Sequence, residues 1–155
     1  MSNELVSILV LNYNNSKLLK RSINSCINQT YKNLEILIFD DKSTDNSIEI
    51  LKNIKRKYKI KFFLNKSQKF KEAAIDAKNG YMHLLKYSKG KIIFFLDSDD
   101  YFKKNKVSEV VKVFKKYKNI DLIQDLPLIK NKNKFKKKKN KNNILSYWPF
   151  FSPES

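Results

Sequence analysis

Asp97, Asp99 and Asp100 crowd three carboxylates into positions 97–100, directly after the apolar run Ile92-Ile93-Phe94-Phe95-Leu96. Hard oxygen donors alternating along an extended segment can hold a divalent cation and leave coordination positions for phosphate oxygens. The chemistry this implies is recognition of a diphosphate through a bound ion. The same residues also suit a plainer role, with Asp97-Ser98-Asp99 as a polar turn or helix N-cap ahead of the segment from Lys103. The elements that position them must separate the two readings.

The run at 91–96 is β-branched and aromatic and too short for a free-standing helix, which predicts a buried strand. Three similar runs precede it. Residues 5–11 are nearly all apolar and halt at Asn12-Tyr13-Asn14-Asn15, and residues 34–39 halt at Asp40-Asp41. Residues 60–64 read as a short third strand. Helical spacing fills the gaps. Leu19, Ile23, Cys26 and Ile27 make one apolar face from about Ser16, and Ile50, Leu51 and Ile54 follow an Asn46/Glu49 capping pair. Phe70, Ala73, Ala74, Ala77, Tyr81, Leu84 and Leu85 keep helical period up to Gly90, which is placed to stop the helix. Val107, Val110, Val111 and Phe114 predict a fourth helix, and 120–123 a fifth strand.

Nearly all-apolar strands alternating with helices predict a mainly parallel sheet covered on both faces. Right-handed crossovers then put every strand's C-terminal end on one rim. Residues 12–15, 40–41 and 97–100 therefore converge, although they are far apart in the chain. Like charges gathered in that way repel unless a cation or hydrogen-bond donors offset them, which favours the ligand-binding reading of the aspartates.

Composition bounds the alternatives. The 155 residues carry 33 Lys plus Arg against 15 Asp plus Glu, a formal charge of +18, which favours anionic partners. Much of that charge lies in a Lys/Asn run bounded by Lys130 and Lys141, which lacks periodicity and reads as a solvated mobile loop. It supports a competing reading as a binder of acidic membrane surfaces or nucleic acid, although only Phe135 interrupts it and a single-strand platform needs more aromatics. The lone Cys26 excludes an internal disulfide and a Cys-ligated zinc site. His83 reads as structural, within the third helix. No signal peptide is visible and no apolar stretch approaches the roughly 18 residues of a membrane span, so the expected setting is cytoplasmic, with a peripheral place at the inner face of the cell membrane.

With those residues in place, the sequence resembles the nucleotide-sugar-binding half of inverting family-2 glycosyltransferases of GT-A fold. The resemblance rests on residues 6–14, on 25–31 with Gln29-Thr30-Tyr31, on 34–45 with Phe39-Asp40-Asp41-Lys42-Ser43-Thr44-Asp45, and on Phe95-Leu96-Asp97-Ser98-Asp99-Asp100. It implies an α/β fold with a Rossmann-like parallel sheet, a UDP-sugar donor, a glycan or lipid-linked acceptor, and Mn²⁺ or Mg²⁺ as cofactor. By resemblance the loop Asn12-Tyr13-Asn14 and Asp41 hold the base with Asp40 in support. Asp97 and Ser98 face ribose and sugar, Asp99 binds the metal, and Lys78 on the third helix approaches the base or a phosphate. The family's catalytic base lies after the fifth strand, and no match to it occurs up to Ser155. Expected organisation is a donor-binding domain at 1–129, the mobile loop at 130–143 and the start of an acceptor region at 144–155, the chain being a fragment. The resemblance also admits a relative that binds nucleotide and transfers nothing.

Overall fold

A computed structural model describes residues 4–58, 60–66, 73–117, 119–124, 128–131 and 134–137. The chain divides into two compact units, Met1–Lys116 and Tyr117–Ser155. In the first, the strands are β1 (Val6–Asn12), β2 (Leu34–Asp40), β3 (Ile60–Leu64) and β4 (Ile92–Asp97). The helices between and after them are α1 (Ser16–Ile27), α2 (Ser47–Lys57), α3 (Ala73–Tyr87) and α4 (Lys106–Lys116). All strand pairings are parallel and the order is β3-β2-β1-β4. The chain thus builds outward from β1 to β3, then crosses back to lay β4 on the other side of β1. That reversal opens a crevice at the C-terminal ends of β1 and β4, where open α/β sheets take their ligands.

Period-2 alternation sorts the apolar residues onto two faces. Val6, Ile8 and Val10 of β1, Ile36 and Ile38 of β2, and Phe94 and Leu96 of β4 join Leu19, Ile23 and Cys26 of α1, Leu51 and Ile54 of α2, and Val107 and Val111 of α4 in the larger core. Leu9, Leu37 and Phe39 face the other way and pack under Leu84 of α3. Cys26 is part of the larger core, as its sequence context suggests, and burial pushes its thiol up to about 12.

Two close approaches explain the chain's two glycines. A Cβ on Gly90 would stand 2.3 Å from the Ser7 backbone nitrogen and 2.7 Å from the Val6 carbonyl carbon, so only glycine lets the chain enter β4 against β1. A Cβ on Gly80 would stand 2.7 Å from Leu11 Cδ2, which sets how closely α3 lies on the sheet. The role expected of Gly90 as helix stop is corrected here, because α3 ends at Tyr87 and no glycine has positive φ. The α2 cap is also corrected. The Asn46 side chain makes no capping hydrogen bond, and Asp45 Oδ1 accepts from the Ser47 backbone N–H at 3.0 Å instead. Asp45 Oδ2 also accepts from the Ser16 N–H at 2.8 Å, so one carboxylate ties the start of α2 to the start of α1. Burial would raise its pKa, but these donors outweigh that and hold it at about 2.

In the second unit, no strand forms at 120–123, where Leu122 is exposed and that apolar run lacks the burial a strand of this sheet would need. An antiparallel hairpin forms further on, pairing β5 (Leu128–Asn131) with β6 (Lys134–Lys137). It occupies part of the run read from sequence as a mobile loop, and Leu128, Ile129 and Phe135 supply the β-forming residues that a count of lysines obscures. Phe70 and the segment 144–155 lie outside the described residues.

Candidate active site

The parallel register sets the rim. Asn12 lies opposite Asp40, and Leu11 opposite Asp97. Pairing continues one residue beyond the strands, with Asp41 N donating to Asn12 O at 2.9 Å and Ser98 N to Leu11 O at 3.0 Å. Residues 12–15, 41 and 97–99 are thereby held side by side around a cavity of about 670 Å³, which α3 closes with Asp76 and Ala77.

Not every residue singled out in the sequence faces that cavity. Asp40 is wholly buried beneath the rim, and its carboxylate accepts from Asn12 Nδ2 at 2.7 Å, Ser43 N at 2.9 Å and Ser43 Oγ at 2.8 Å. It is a scaffold residue, in keeping with a supporting role and not with contact to a ligand. Asn14, by contrast, lines the cavity while bracing it: it sits in the left-handed region, φ 46°, and its Oδ1 accepts from Thr44 N at 2.7 Å, binding the first loop to the second. Lys42 also adopts positive φ, 57°, in the turn that returns Ser43 N to Asp40. Lys78 is exposed on α3 and is not among the described residues that line the cavity.

Those that do face it are chemically varied. Tyr13 offers a half-exposed ring, 52% accessible, and Asp41 is oriented by Asn65 Nδ2 at 2.5 Å. Asn12 is buried, and its Oδ1 has no partner among the described residues. Ser98 is buried, its Oγ accepting from Asn15 Nδ2 at 3.1 Å. Asp97 accepts the Tyr81 hydroxyl at 2.9 Å, which leaves its second oxygen for a ligand. Tyr81 stands edge-on to Phe95, and burial followed by the Asp97 charge raises its pKa, so the hydroxyl stays a donor. Burial, then the charges of Asp99 and Asp97, raises Asp100, while Arg21 pulls it down.

Asp76 and Arg21 carry no signal in the sequence that points to this site, and Asn15 is legible only as part of the loop 12–15. Tyr81 carried a signal of sorts, since it counted as one more apolar residue of α3 when its ring does pack but its hydroxyl reaches the aspartates. His83 lines a neighbouring cavity of about 870 Å³, its ring 5.1 to 5.2 Å from those of Phe39, Phe63 and Tyr87. That placement matches a structural histidine.

Among the described residues no three His, Cys, Asp or Glu side chains form a metal cage. Asp97 and Asp99 nonetheless line one cavity with carboxylate oxygens to spare. That arrangement fits a hard cation which completes its shell with water and phosphate oxygens.

The sheet is parallel and wound to both sides of β1, with a carboxylate rim at its switch point. The chain belongs to glycosyl transferase family 2, which it matches over residues 7–154. A UDP-Glc:alpha-D-GlcNAc-diphosphoundecaprenol beta-1,3-glucosyltransferase of Escherichia coli, WfaP, is 40% identical over 128 residues, covering 79% of this chain and 48% of the relative. The chain thus spans about half the length of that curated relative. Among solved structures, Staphylococcus aureus TarS 1–349 in complex with UDP-GlcNAc superposes with a TM-score of 0.63 at 24% identity, covering 72% of this chain and 31% of that one. A mannosyltransferase from Pyrobaculum calidifontis, in complex with GDP-Man and Mn²⁺, gives 0.60 at 19% identity, over 70% and 32%. These likenesses bear out the expected fold and family.

Proposed function

We propose that this chain is the donor-binding part of a glycosyltransferase that moves a sugar from a UDP-sugar onto a lipid-linked glycan in bacterial polysaccharide synthesis. The observation that carries the reading is the meeting of Tyr13, Asp41, Asp97 and Asp99 on one cavity from three separate strand ends. In this reading Tyr13 packs on the base and Asp41, aimed by Asn65, accepts from its ring N–H. The spare oxygen of Asp97 accepts a ribose hydroxyl, and Ser98 orients the loop through Asn15. Asp99 would hold Mn²⁺ or Mg²⁺, which when bound offsets the charge of the departing nucleoside diphosphate. The names of WfaP and of the TarS complex supply the UDP-sugar and the diphosphoundecaprenol acceptor by analogy.

Calorimetric titration of UDP at moderate salt, with and without Mn²⁺, tests this. Binding should require the ion and survive added salt. Equal binding without it, disappearing as salt rises, would reduce the signal to attraction by lysines and sink the donor-site reading.

We also place the second unit's hairpin against an anionic membrane holding the acceptor. Pairing β5 with β6 gathers Lys130, Lys134, Lys136 and Lys137 into two short strands, and each lysine near such a surface adds roughly 1 kcal/mol. No helix among the described residues is long and apolar enough to cross a membrane, so surface attachment is what the hairpin would supply. Deleting residues 128–141 should abolish sedimentation with phosphatidylglycerol vesicles. Unchanged sedimentation would exclude the hairpin as the anchor.

A further inference from the structure

The motif Ser25 to Tyr31 belongs to no ligand contact described above, and the structure gives it a purpose. Ser22 and Ser25, at i and i+3, share one face of α1, and Gln29 continues that line just beyond the Asn28 C-cap, where its Nε2 donates back to Ser25 O at 2.8 Å. That face holds the backbone that follows β4. Ser22 Oγ donates to Asp97 O at 3.5 Å, and Ser25 Oγ accepts from Phe102 N at 3.0 Å. Gln29, fully buried, donates to Lys103 O at 2.8 Å and accepts from Val107 N at 3.0 Å. Neutral side chains thus fix the segment at both ends.

The middle of the segment is held by a cation. Arg21 Nη2 donates to Asp99 O at 2.8 Å, and the guanidinium lies 4.6 Å from the centre of the Tyr101 ring. One planar group therefore grips the peptide after Asp99 and the side chain two residues on, a fit suited to arginine's fork and flat face. The Asp99 carboxylate, on the cavity side, makes no hydrogen bond among the described residues, so its aim depends on the backbone that bears it.

We propose that Arg21 is a positioning residue for divalent-ion binding, holding the Asp99 peptide so that its carboxylate faces the cavity. This rests on the donor-site reading given above. The competing account makes Arg21 a surface cation, and the two differ in sign. A mere cation repels a divalent ion, so its removal would tighten metal binding. A positioning residue, once removed, weakens it.

The test uses the whole chain with Arg21→Ala and Arg21→Lys, titrated with Mn²⁺ alone and with UDP plus Mn²⁺. Loss of a charge-assisted hydrogen bond should weaken Mn²⁺-dependent UDP binding about tenfold in Arg21→Ala. Arg21→Lys, which keeps the charge but not the fork, should fall between. Tighter or unchanged binding in Arg21→Ala overturns the proposal. Amide exchange in the metal-free chain gives a second readout, because Asp100 N donates to Asp97 O at 3.0 Å within the same loop. Faster exchange of that amide in Arg21→Ala supports the positioning role, and unchanged exchange overturns it. Absence of Mn²⁺-dependent binding in the wild-type chain would instead overturn the donor-site reading, leaving the exchange result to judge whether Arg21 holds the loop.

Discussion

Asp99→Ala is expected to remove Mn²⁺-dependent UDP binding while leaving the fold as stable as before. Its carboxylate is exposed and makes no hydrogen bond among the described residues, whereas its backbone carbonyl, which alanine retains, carries the contact with Arg21. Surface changes of that kind fall within about 0.5 kcal/mol of neutral. The binding loss should reach roughly a hundredfold or more, since even groups standing behind a metal ligand cost ten- to hundredfold when removed. Asp97→Asn should be milder, because an amide oxygen can still accept from Tyr81. Calorimetry of both variants, beside urea denaturation of each, separates affinity from stability. A chain with Asp99→Ala that binds UDP and Mn²⁺ as the wild type does would return positions 97–100 to the status of a polar turn.

The sheet was legible because burial on both faces leaves strands as continuous apolar runs, and the carboxylates that end them mark the rim. The register that sets Asn12 opposite Asp40 and Leu11 opposite Asp97 is supplied by the structure. Period-3.6 spacing likewise located α1 and α4 to within a residue or two. What sequence could not show were the pairings between distant residues. Arg21 and Asp99 are 78 positions apart, and nothing local distinguishes that arginine from the exposed lysines around it. Tyr81 is half legible for a different reason: its ring packs on the apolar face as the period implies, while its hydroxyl delivers a polar tip to Asp97. The capping pair failed because Asp45 outcompeted Asn46 by serving two helix starts at once. Gly90 was assigned a role by type, since a glycine after a helix is commonly its stop, while the Ser7 backbone that demands it lies 83 residues away.

Asp40 has the opposite profile to Asp99, and the contrast decides whether the aspartates at the strand ends share a task. Asp40→Ala is expected to cost about 3 kcal/mol of stability, because it removes three hydrogen bonds at once, those from the buried Asn12 Nδ2, from Ser43 N and from Ser43 Oγ, and leaves Asn12 Nδ2 only its longer contact with Ser43 Oγ. Asp40→Asn should cost distinctly less. An amide at position 40 can keep its oxygen on Ser43 N and turn its NH₂ toward Asn12, whose Oδ1 has no partner in the native arrangement. The side chain of Asn12 need only rotate to present that oxygen. Urea denaturation at constant m-value reads both effects. In Asp40→Asn the affinity for UDP with Mn²⁺ should change less than in Asp99→Ala, since no cavity wall is removed. If Asp40→Ala left stability intact and abolished UDP binding, Asp40 would be a nucleotide contact and not a support beneath the rim.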